Sequence, residues 1–281
     1  MSTSDAPGAT GTGGRPLDGQ VAFITGAGSG LGAAFARRLA ADGATVVVND
    51  LNAEAAAAVA IAIDGDTAVF DVCDSVAFDT EVDKAVERHG RIDIMINNAG
   101  IAPPMDAQRF EVGMANQMLR MEGRIDEMQP IGATVSLSDA EWDRMIRVHL
   151  YGAFYGTRAA LRHMEPARSG RIVNISSILG QLPAAGAPHY SAAKAAIIAL
   201  TKSTAQEVAH LGIRVNAVCP GYIDTPLLAP FDDMMRAAIT MRIGTGRMGR
   251  AEEMAEVVRF LSGPESSYCT GDVLTASGGY A

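Results

Sequence analysis

Tyr190 and Lys194 stand four residues apart and are the two side chains of this sequence best suited to moving a proton. In a helix, this spacing places both side chains on one face. A tyrosine hydroxyl normally titrates near pH ~10, and a neighbouring ammonium group favours the phenolate and lowers the tyrosine pKa. The pair therefore predicts acid–base chemistry near neutral pH.

A run of glycines lies near the amino terminus, where residues 25–32 read Thr-Gly-Ala-Gly-Ser-Gly-Leu-Gly. It follows a strand-like stretch, residues 21–25, and opens a helix-like stretch, residues 31–41. Glycines there allow a tight turn and a close approach to a pyrophosphate, which the free amides and dipole of the helix attract. The run predicts a dinucleotide site that includes Gly26, Ser29, Gly30, Leu31 and Gly32.

An aspartate, Asp50, ends the second predicted strand, 24 residues after Gly26. A carboxylate at this position accepts hydrogen bonds from the adenosine ribose hydroxyls and repels a 2′-phosphate. Its neighbour Leu51, like Ala27 and Ser29, brings no positive charge to hold such a phosphate. These residues predict NAD rather than NADP as the cofactor.

Strand-like and helix-like stretches alternate along the chain. Short, mostly apolar runs predict strands covered on both faces, at residues 21–25, 45–49, 68–72, 92–97, 171–176, 213–219 and 273–276. Helical patterns occupy residues 31–41, 54–63, 75–88, 140–164, 191–210 and 252–261. This alternation predicts an α/β fold of Rossmann type, a single domain on a doubly wound parallel sheet of about seven strands, with its ligand crevice beyond the strands' carboxyl ends.

Composition limits the partners of the chain. Hydrophobic residues make up 48% of its 281 residues, enough for a sizeable core, and the formal charge is −9. Because no basic run occurs, neither nucleic acid nor an acidic membrane surface is expected as a partner. Cys73, Cys219 and Cys269 are too scattered for a metal site, so we expect free thiols and no metal.

Residues 1–16 are rich in Ser, Thr, Gly, Ala and Pro, without a basic start followed by an apolar core. They predict a disordered tail rather than a secretory signal. The longest Ala-rich apolar run, residues 55–63, is too short to span a bilayer. We expect a cytoplasmic protein in which residues 17–281 form one dinucleotide-binding catalytic domain.

Further short motifs follow the glycine turn in a fixed order. They are Asp71-Val72, Asn97-Asn98-Ala99-Gly100, Ser176-Ser177, Tyr190-Ser191-Ala192-Ala193-Lys194 and Pro220-Gly221. In this order they resemble the short-chain dehydrogenase/reductase family, and the ordered set is far more specific than any single motif. The resemblance covers residues 17–281 except a long stretch after Gly100. It implies hydride transfer between NAD and a carbonyl or alcohol carbon, and a homodimer or homotetramer.

The resemblance also implies roles for individual residues. Ser177, thirteen residues before Tyr190, would hydrogen-bond the substrate oxygen, while Tyr190 would exchange the proton and Lys194 would bind the nicotinamide ribose. Asp71 would receive the adenine amine, with Val72 beside the ring. The other positions implied to line the cofactor cleft are Leu51, Asn98, Ala99, Gly100, Pro220, Gly221, Ile223 and Thr225.

One position departs from the family pattern. The family usually places Asn in a Val-Asn-Leu context on the helix before Ser177, whereas this chain has Val148-His149-Leu150. The family's Asn holds a water that feeds protons toward the lysine. Because a histidine ring both donates and accepts, His149 is a candidate substitute, and a plain helix residue is the alternative. The Val-His-Leu pattern resembles family members that act on hydroxyacyl thioesters.

The stretch from residue 101 to 138 lacks a strand pattern and is longer than most connections. Within it an apolar stripe recurs every three or four residues, which predicts a helical insert, and Gly123 favours a break in that helix. Since the stretch follows a strand, it leaves the sheet at the ligand-binding edge. It is expected either to form a wall of the substrate pocket or to pack on the domain or a neighbouring subunit. The stripe comprises Met114, Met118, Met121, Ile125 and Met128.

Taken together, these residues predict an NAD(H)-dependent enzyme that interconverts a secondary alcohol and a ketone. The apolar segment after Thr225, residues 226–235, favours an apolar substrate such as a hydroxyacyl thioester, a steroid or a terpenoid alcohol. The main alternative is a 3-oxoacyl-[acyl-carrier-protein] reductase that uses NADPH. A non-catalytic dinucleotide-sensing module is a more distant alternative, since such proteins typically lose the tyrosine or the lysine.

Overall fold

A computed structural model describes residues 14–104 and 106–280. Its centre is one sheet of seven parallel strands in the order β3-β2-β1-β4-β5-β6-β7, which confirms the predicted Rossmann-type fold. The strands are β1 Val21–Ile24, β2 Thr45–Asp50, β3 Asp66–Val69, β4 Ile94–Asn97, β5 Gly170–Ile175, β6 Ile213–Pro220 and β7 Val273–Ala276. The predicted tail lies mostly outside the described residues.

Helices connect the strands and cover both faces of the sheet. They are α1 Gly30–Ala41, α2 Ala53–Ile63, α3 Ser75–His89, α4 Ala107–Met121, α5 Ala133–Ser136, α6 Asp139–Ile146, α7 Gly152–Ala167, α8 Pro188–Val208, α9 Asp233–Thr240 and α10 Ala251–Ser262. A π-helical turn, Arg147–Tyr151, joins α6 to α7, so the predicted helix 140–164 is continuous but widened in the middle. In the described ranges no helix has the length and hydropathy that a membrane crossing needs.

Two apolar layers form the core, one on each face of the sheet. Successive strand residues point to opposite faces, and Phe23 and Ile24 of β1 accordingly pack into different layers. Helices α1 and α10 cover one face through side chains such as Phe35 and Val258. Helices α3 and α7 cover the other, for example through Phe78. This two-sided burial explains why the strands read as continuous apolar runs.

Most element boundaries differ from those predicted from the sequence by one to three residues, and two of the differences have a clear physical reason. Strand β3 ends at Val69, where it pairs with Asp50, rather than running from residue 68 to 72. The apolar residues beyond Val69 have no strand to pair with, because β2 ends at Asp50. Helix α8 begins at Pro188 rather than at Ser191, since proline suits the first turn of a helix.

Candidate active site

A single large cavity of about 2010 Å³ opens along the carboxyl ends of the strands. It spans the point where strand order reverses between β1 and β4, the usual ligand position in this fold. Every residue named from the sequence as catalytic or cofactor-binding lines this cavity except Gly32. Gly32 packs behind the turn, where a Cβ atom would stand 2.2 Å from the Gly26 carbonyl oxygen.

The glycine turn is held open by neighbouring loops. Gly26 and Gly30 have φ values of +61° and +52°, which favour glycine. Asn98 donates its side-chain amide to the carbonyls of Thr25 and Gly26, at 2.9 and 3.1 Å. Asn98 therefore braces the turn. Ser29, the N-cap of α1, makes no side-chain cap bond, so the first amides of α1 face the cavity as donors, and this arrangement fits a dinucleotide pyrophosphate.

Asp50 reaches back to the same turn from the end of β2. Its Oδ2 accepts a hydrogen bond of 3.0 Å from the Gly28 amide, and its Oδ1 accepts one of 2.9 Å from the Asn52 amide. Each carboxylate oxygen has a second lone pair, so both ribose hydroxyls still find an acceptor. Leu51 beside it is 71% exposed. These residues fit an adenosine ribose.

Ser177, Tyr190 and Lys194 converge beneath the opposite end of the cavity. Ser177 and Tyr190 both line the cavity, and Ser177 lies close enough to the Tyr190 hydroxyl to influence its pKa. One turn further along α8, the buried Lys194 ammonium donates to the Ile175 carbonyl at 2.9 Å and lies 5.7 Å from the centre of the Tyr190 ring. Ser176 fixes the helix to β5 by donating its hydroxyl to the Lys194 carbonyl at 2.8 Å.

Burial dominates the electrostatics of this group. It lowers the pKa of Lys194 from 10.5 to about 7. It also raises the pKa of Tyr190, and the Ser177 side chain lowers that pKa by a smaller amount. The direction is the reverse of the one predicted from the Tyr-Lys spacing, because the sequence does not reveal how completely both groups leave water.

His149 lies in the π-helical turn and faces Tyr190. The two rings meet edge to face with their centres 5.3 Å apart. Its Nε2 lies 3.0 Å from the Ile101 carbonyl oxygen, whereas the buried Nδ1 has no hydrogen-bond partner among the described residues. Burial, followed by the charge of Lys194, lowers the pKa of His149 well below its usual value, so the ring is neutral at neutral pH.

Gly100 makes room for that imidazole. A Cβ atom at Gly100 would stand 2.5 Å from Cε1 of His149, closer than side chains pack.

On the adenine side, Asp71 accepts a 2.9 Å hydrogen bond from the Cys73 amide and keeps one oxygen for another donor. Val72 beside it is buried.

The insert forms one side of the cavity. Helix α4 ends at Met121, and Gly123 follows with φ +75°, which accounts for the break. Of the apolar stripe, Met114, Met118, Met121 and Met128 line the cavity, whereas Ile125 does not. Met118, Met121 and Ile125 are exposed, whereas Met114 and Met128 are partly buried, so only part of the stripe packs on the described residues of this chain.

Asn116, a polar residue of α4, is buried. It exchanges two hydrogen bonds with the backbone of Gln129, at 2.6 and 2.8 Å, and so ties α4 to the chain that follows it.

Sequence reasoning missed Thr25, whose hydroxyl oxygen accepts hydrogen bonds from the backbone amides of Asn98 and Ala99. The position of Thr25 at a strand end beside the glycine turn was the available signal. Tyr222 and Tyr280, two further cavity residues, gave no comparable signal.

The fold and this cavity agree with comparisons to known proteins. The short chain dehydrogenase family model matches residues 20–236. The chain is 37% identical to a 3-oxoacyl-[acyl-carrier-protein] reductase of Thermotoga maritima, over 94% of this chain and 98% of that protein. It is 41% identical to a cis-4-hydroxycyclohexanecarboxylate dehydrogenase of Sinomonas cyclohexanicum, over 93% and 96%. The crystal structure of a levodione reductase superposes with a TM-score of 0.81 at 32% identity, covering 94% and 98%.

These matches show the family. The chain belongs to the short-chain dehydrogenase family and is an oxidoreductase. Enzymes of this family use nicotinamide dinucleotides. The part of the cavity between the glycine turn and Asp50 is consistent with such a cofactor.

Proposed function

We propose that this protein oxidises a secondary alcohol with NAD, or reduces the corresponding ketone with NADH. The observation that carries the proposal is the convergence of Ser177, Tyr190 and Lys194 in the same cavity as the glycine turn. In the oxidation direction, NAD supplies the hydride acceptor at the nicotinamide end. There Pro220, the last residue of β6, and Ile223, in the loop that follows, line the cavity.

The proton path follows from the contacts of this chain. Ser177 donates to the substrate oxygen and holds it beside the Tyr190 hydroxyl. Tyr190 takes the alcohol proton in oxidation and returns it in reduction. Lys194 holds the ribose hydroxyls and, when protonated, stabilises the Tyr190 phenolate that oxidation requires. His149, beside the Tyr190 ring, completes the proposed set as a proton relay.

We expect NAD(H) to bind at least about tenfold more tightly than NADP(H), a difference of about 1.4 kcal/mol. A 2′-phosphate would meet the Asp50 carboxylate, which two backbone amides hold in place. Fluorescence titration of both reduced cofactors measures the two dissociation constants. Asp50→Asn serves as the control, because it keeps the shape of the side chain but removes its charge. It should narrow the difference between the two dissociation constants. Equal or tighter NADP(H) binding by the unaltered protein contradicts the assignment.

For His149, we expect His149→Ala to lose activity and change the pH profile of kcat, and His149→Asn to recover much of both. Two observations support a relay role: Nδ1 has no hydrogen-bond partner among the described residues, and the His149 ring contacts the Tyr190 ring. Steady-state rates between pH 6 and 10 provide the measurement. If the alanine variant keeps the rate and profile of the unaltered protein, His149 is a packing residue only.

Apolar residues in the cavity wall support an apolar substrate. Leu182, Leu227, Phe231, Ile239 and Met241 all line the cavity and favour an apolar body on the alcohol. The S. cyclohexanicum relative is named for a ring alcohol, which supports compact alicyclic alcohols, alongside the steroid, terpenoid and hydroxyacyl alternatives. The T. maritima relative is named for acyl-carrier-protein substrates, and this makes NADPH-dependent 3-oxoacyl reduction the second candidate function.

The insert is proposed as an adaptable wall of the substrate pocket. Replacing residues 105–137 with a short linker should spare NAD binding but raise the KM for bulky alcohols more than for small ones, since methionines provide a deformable apolar surface. Kinetics with a graded series of alicyclic alcohols measures the effect. Unchanged kinetics across the series would assign the insert to packing or to subunit contact.

The proposal includes self-association. Tyr151 and Phe154 on the outer side of the π-helical turn and α7 are 39% and 43% exposed. Arg147 lies over the first of these rings and Arg158 over the second. We propose that a second copy of the chain covers this face in a homodimer or homotetramer.

A further inference from the structure

Two tyrosines beside the catalytic group have no part in the proton path. Tyr222 follows Pro220 and Gly221, and Tyr280 is the penultimate residue of the chain. Their rings lie 5.2 Å apart in a tilted arrangement. Both line the cavity that contains Tyr190, whose charge also influences the Tyr222 hydroxyl. The pair therefore brings a second hydroxyl group close to the reacting one.

An arginine, Arg242, packs against this pair of tyrosines. The Arg242 guanidinium carbon lies 4.7 Å from the centre of the Tyr280 ring, and Arg242 also lines the cavity. The arrangement is fixed by backbone pairing: Ile243 bridges Tyr280, and the Thr245 amide donates to the Gly278 carbonyl at 2.9 Å. A small apolar cluster that includes Ile178, Ile239 and Ile243 supports it from behind. Tyr222, Tyr280 and Arg242 thus form a preorganised unit.

The chemistry of this unit selects for an anion. A guanidinium has five N–H donors and no acceptor, so it can serve more than one partner. Burial raises the pKa of Tyr222, which keeps its hydroxyl protonated and able to donate at neutral and moderately alkaline pH. A carboxylate accepts from both kinds of donor, and charge-assisted hydrogen bonds are about twice as strong as neutral ones.

We propose that Tyr222 and Arg242 bind a carboxylate on the substrate, at the end remote from the reacting alcohol. The substrate is then a compact apolar hydroxy acid whose ring or chain lies against the aliphatic wall between Tyr190 and Arg242. This inference rests on the proposed alcohol oxidation and narrows it. The other arginines that line the cavity belong to or lie next to α4, α6 and the π-helical turn: Arg109, Arg120, Arg144 and Arg147.

The test compares 4-hydroxycyclohexanecarboxylate with its neutral carboxamide as substrates for oxidation by NAD. The unaltered protein should have a KM about tenfold lower for the acid. Arg242→Gln and Tyr222→Phe should each raise the KM for the acid about tenfold, change the KM for the amide less than about twofold, and leave kcat nearly unchanged. Matched controls are Arg37→Gln and Tyr268→Phe, which alter exposed residues that do not line the cavity.

A binding measurement separates this inference from the proposed function. Calorimetric titration of the NADH complex with cyclohexanecarboxylate and cyclohexanecarboxamide needs no turnover. The acid should bind about tenfold more tightly, and Arg242→Gln should remove that difference. If neither alcohol is oxidised but this pattern holds, the proposed reaction fails and the carboxylate site stands. Equal binding of acid and amide, or an equal effect of Arg242→Gln on both, overturns the carboxylate site.

Discussion

Replacing Tyr190 with phenylalanine is expected to lower kcat by a factor of ~100 or more while leaving NAD binding nearly intact, the usual scale of general acid–base catalysis. The substitution removes only the hydroxyl that the Ser177 side chain contacts. The ring remains against His149 and above Lys194, so the shape of the cavity is retained. Steady-state kinetics with the best alcohol substrate, together with NADH titration, measures both quantities.

The matched control for Tyr190→Phe is Tyr268→Phe, which removes a hydroxyl from a fully exposed side chain and should leave kcat unchanged. Ser177→Ala should fall between the two variants, because the Tyr190 hydroxyl remains but the substrate oxygen loses one donor. Near-full turnover by the Tyr190 variant would show that another group exchanges the proton, and the proposed roles of Ser177 and Lys194 would then fail with it.

The fold was predictable because its signals are local. Seven apolar runs separated by helical patterns allow few arrangements other than a doubly wound parallel sheet, and that sheet is present. Element ends were less predictable, since they depend on pairing. Strand β3 stops where its partner β2 stops, and nothing within residues 68–72 encodes the end of another strand.

The candidate site also has features that the sequence predicts and features that it does not. The motifs singled out the glycine turn, Asp50 and the Ser177–Tyr190–Lys194 group, and these residues lie around one cavity. They did not predict the direction of the Tyr190 pKa, which burial sets. They also did not predict that Tyr280, near the chain end, packs beside Tyr222. Contacts between residues distant in sequence follow from the assembled fold, and a single sequence has no periodicity that reports them.

Lys194→Met is expected to abolish measurable turnover and yet stabilise the protein at neutral pH. Burial lowers the Lys194 pKa in the folded state from 10.5 to about 7. Between these values the unfolded chain holds a proton that the folded protein lacks, so stability rises with pH. Below pH 7 both states hold it, and the full cost of charging a buried lysine remains. The variant removes that cost, which declines toward zero as the pH rises to 10.5.

One pKa unit is worth about 1.4 kcal/mol, so removing the buried charge stabilises the folded state. The loss of the hydrogen bond to the Ile175 carbonyl offsets part of this, and we expect the free energy of unfolding to rise by about 2 kcal/mol below pH 7. For a domain of this size that is about 5 °C in Tm. Thermal unfolding between pH 6 and 10, without added nucleotide, should show the gain shrinking as pH rises. Lys202→Met, on the exposed face of the same helix, should show no such trend. If the Lys194 variant is less stable than the unaltered protein at pH 6, the surroundings of Lys194 compensate the cost of burying its charge. The charged ammonium would then be present in the free protein, ready to bind the ribose and to stabilise the Tyr190 phenolate.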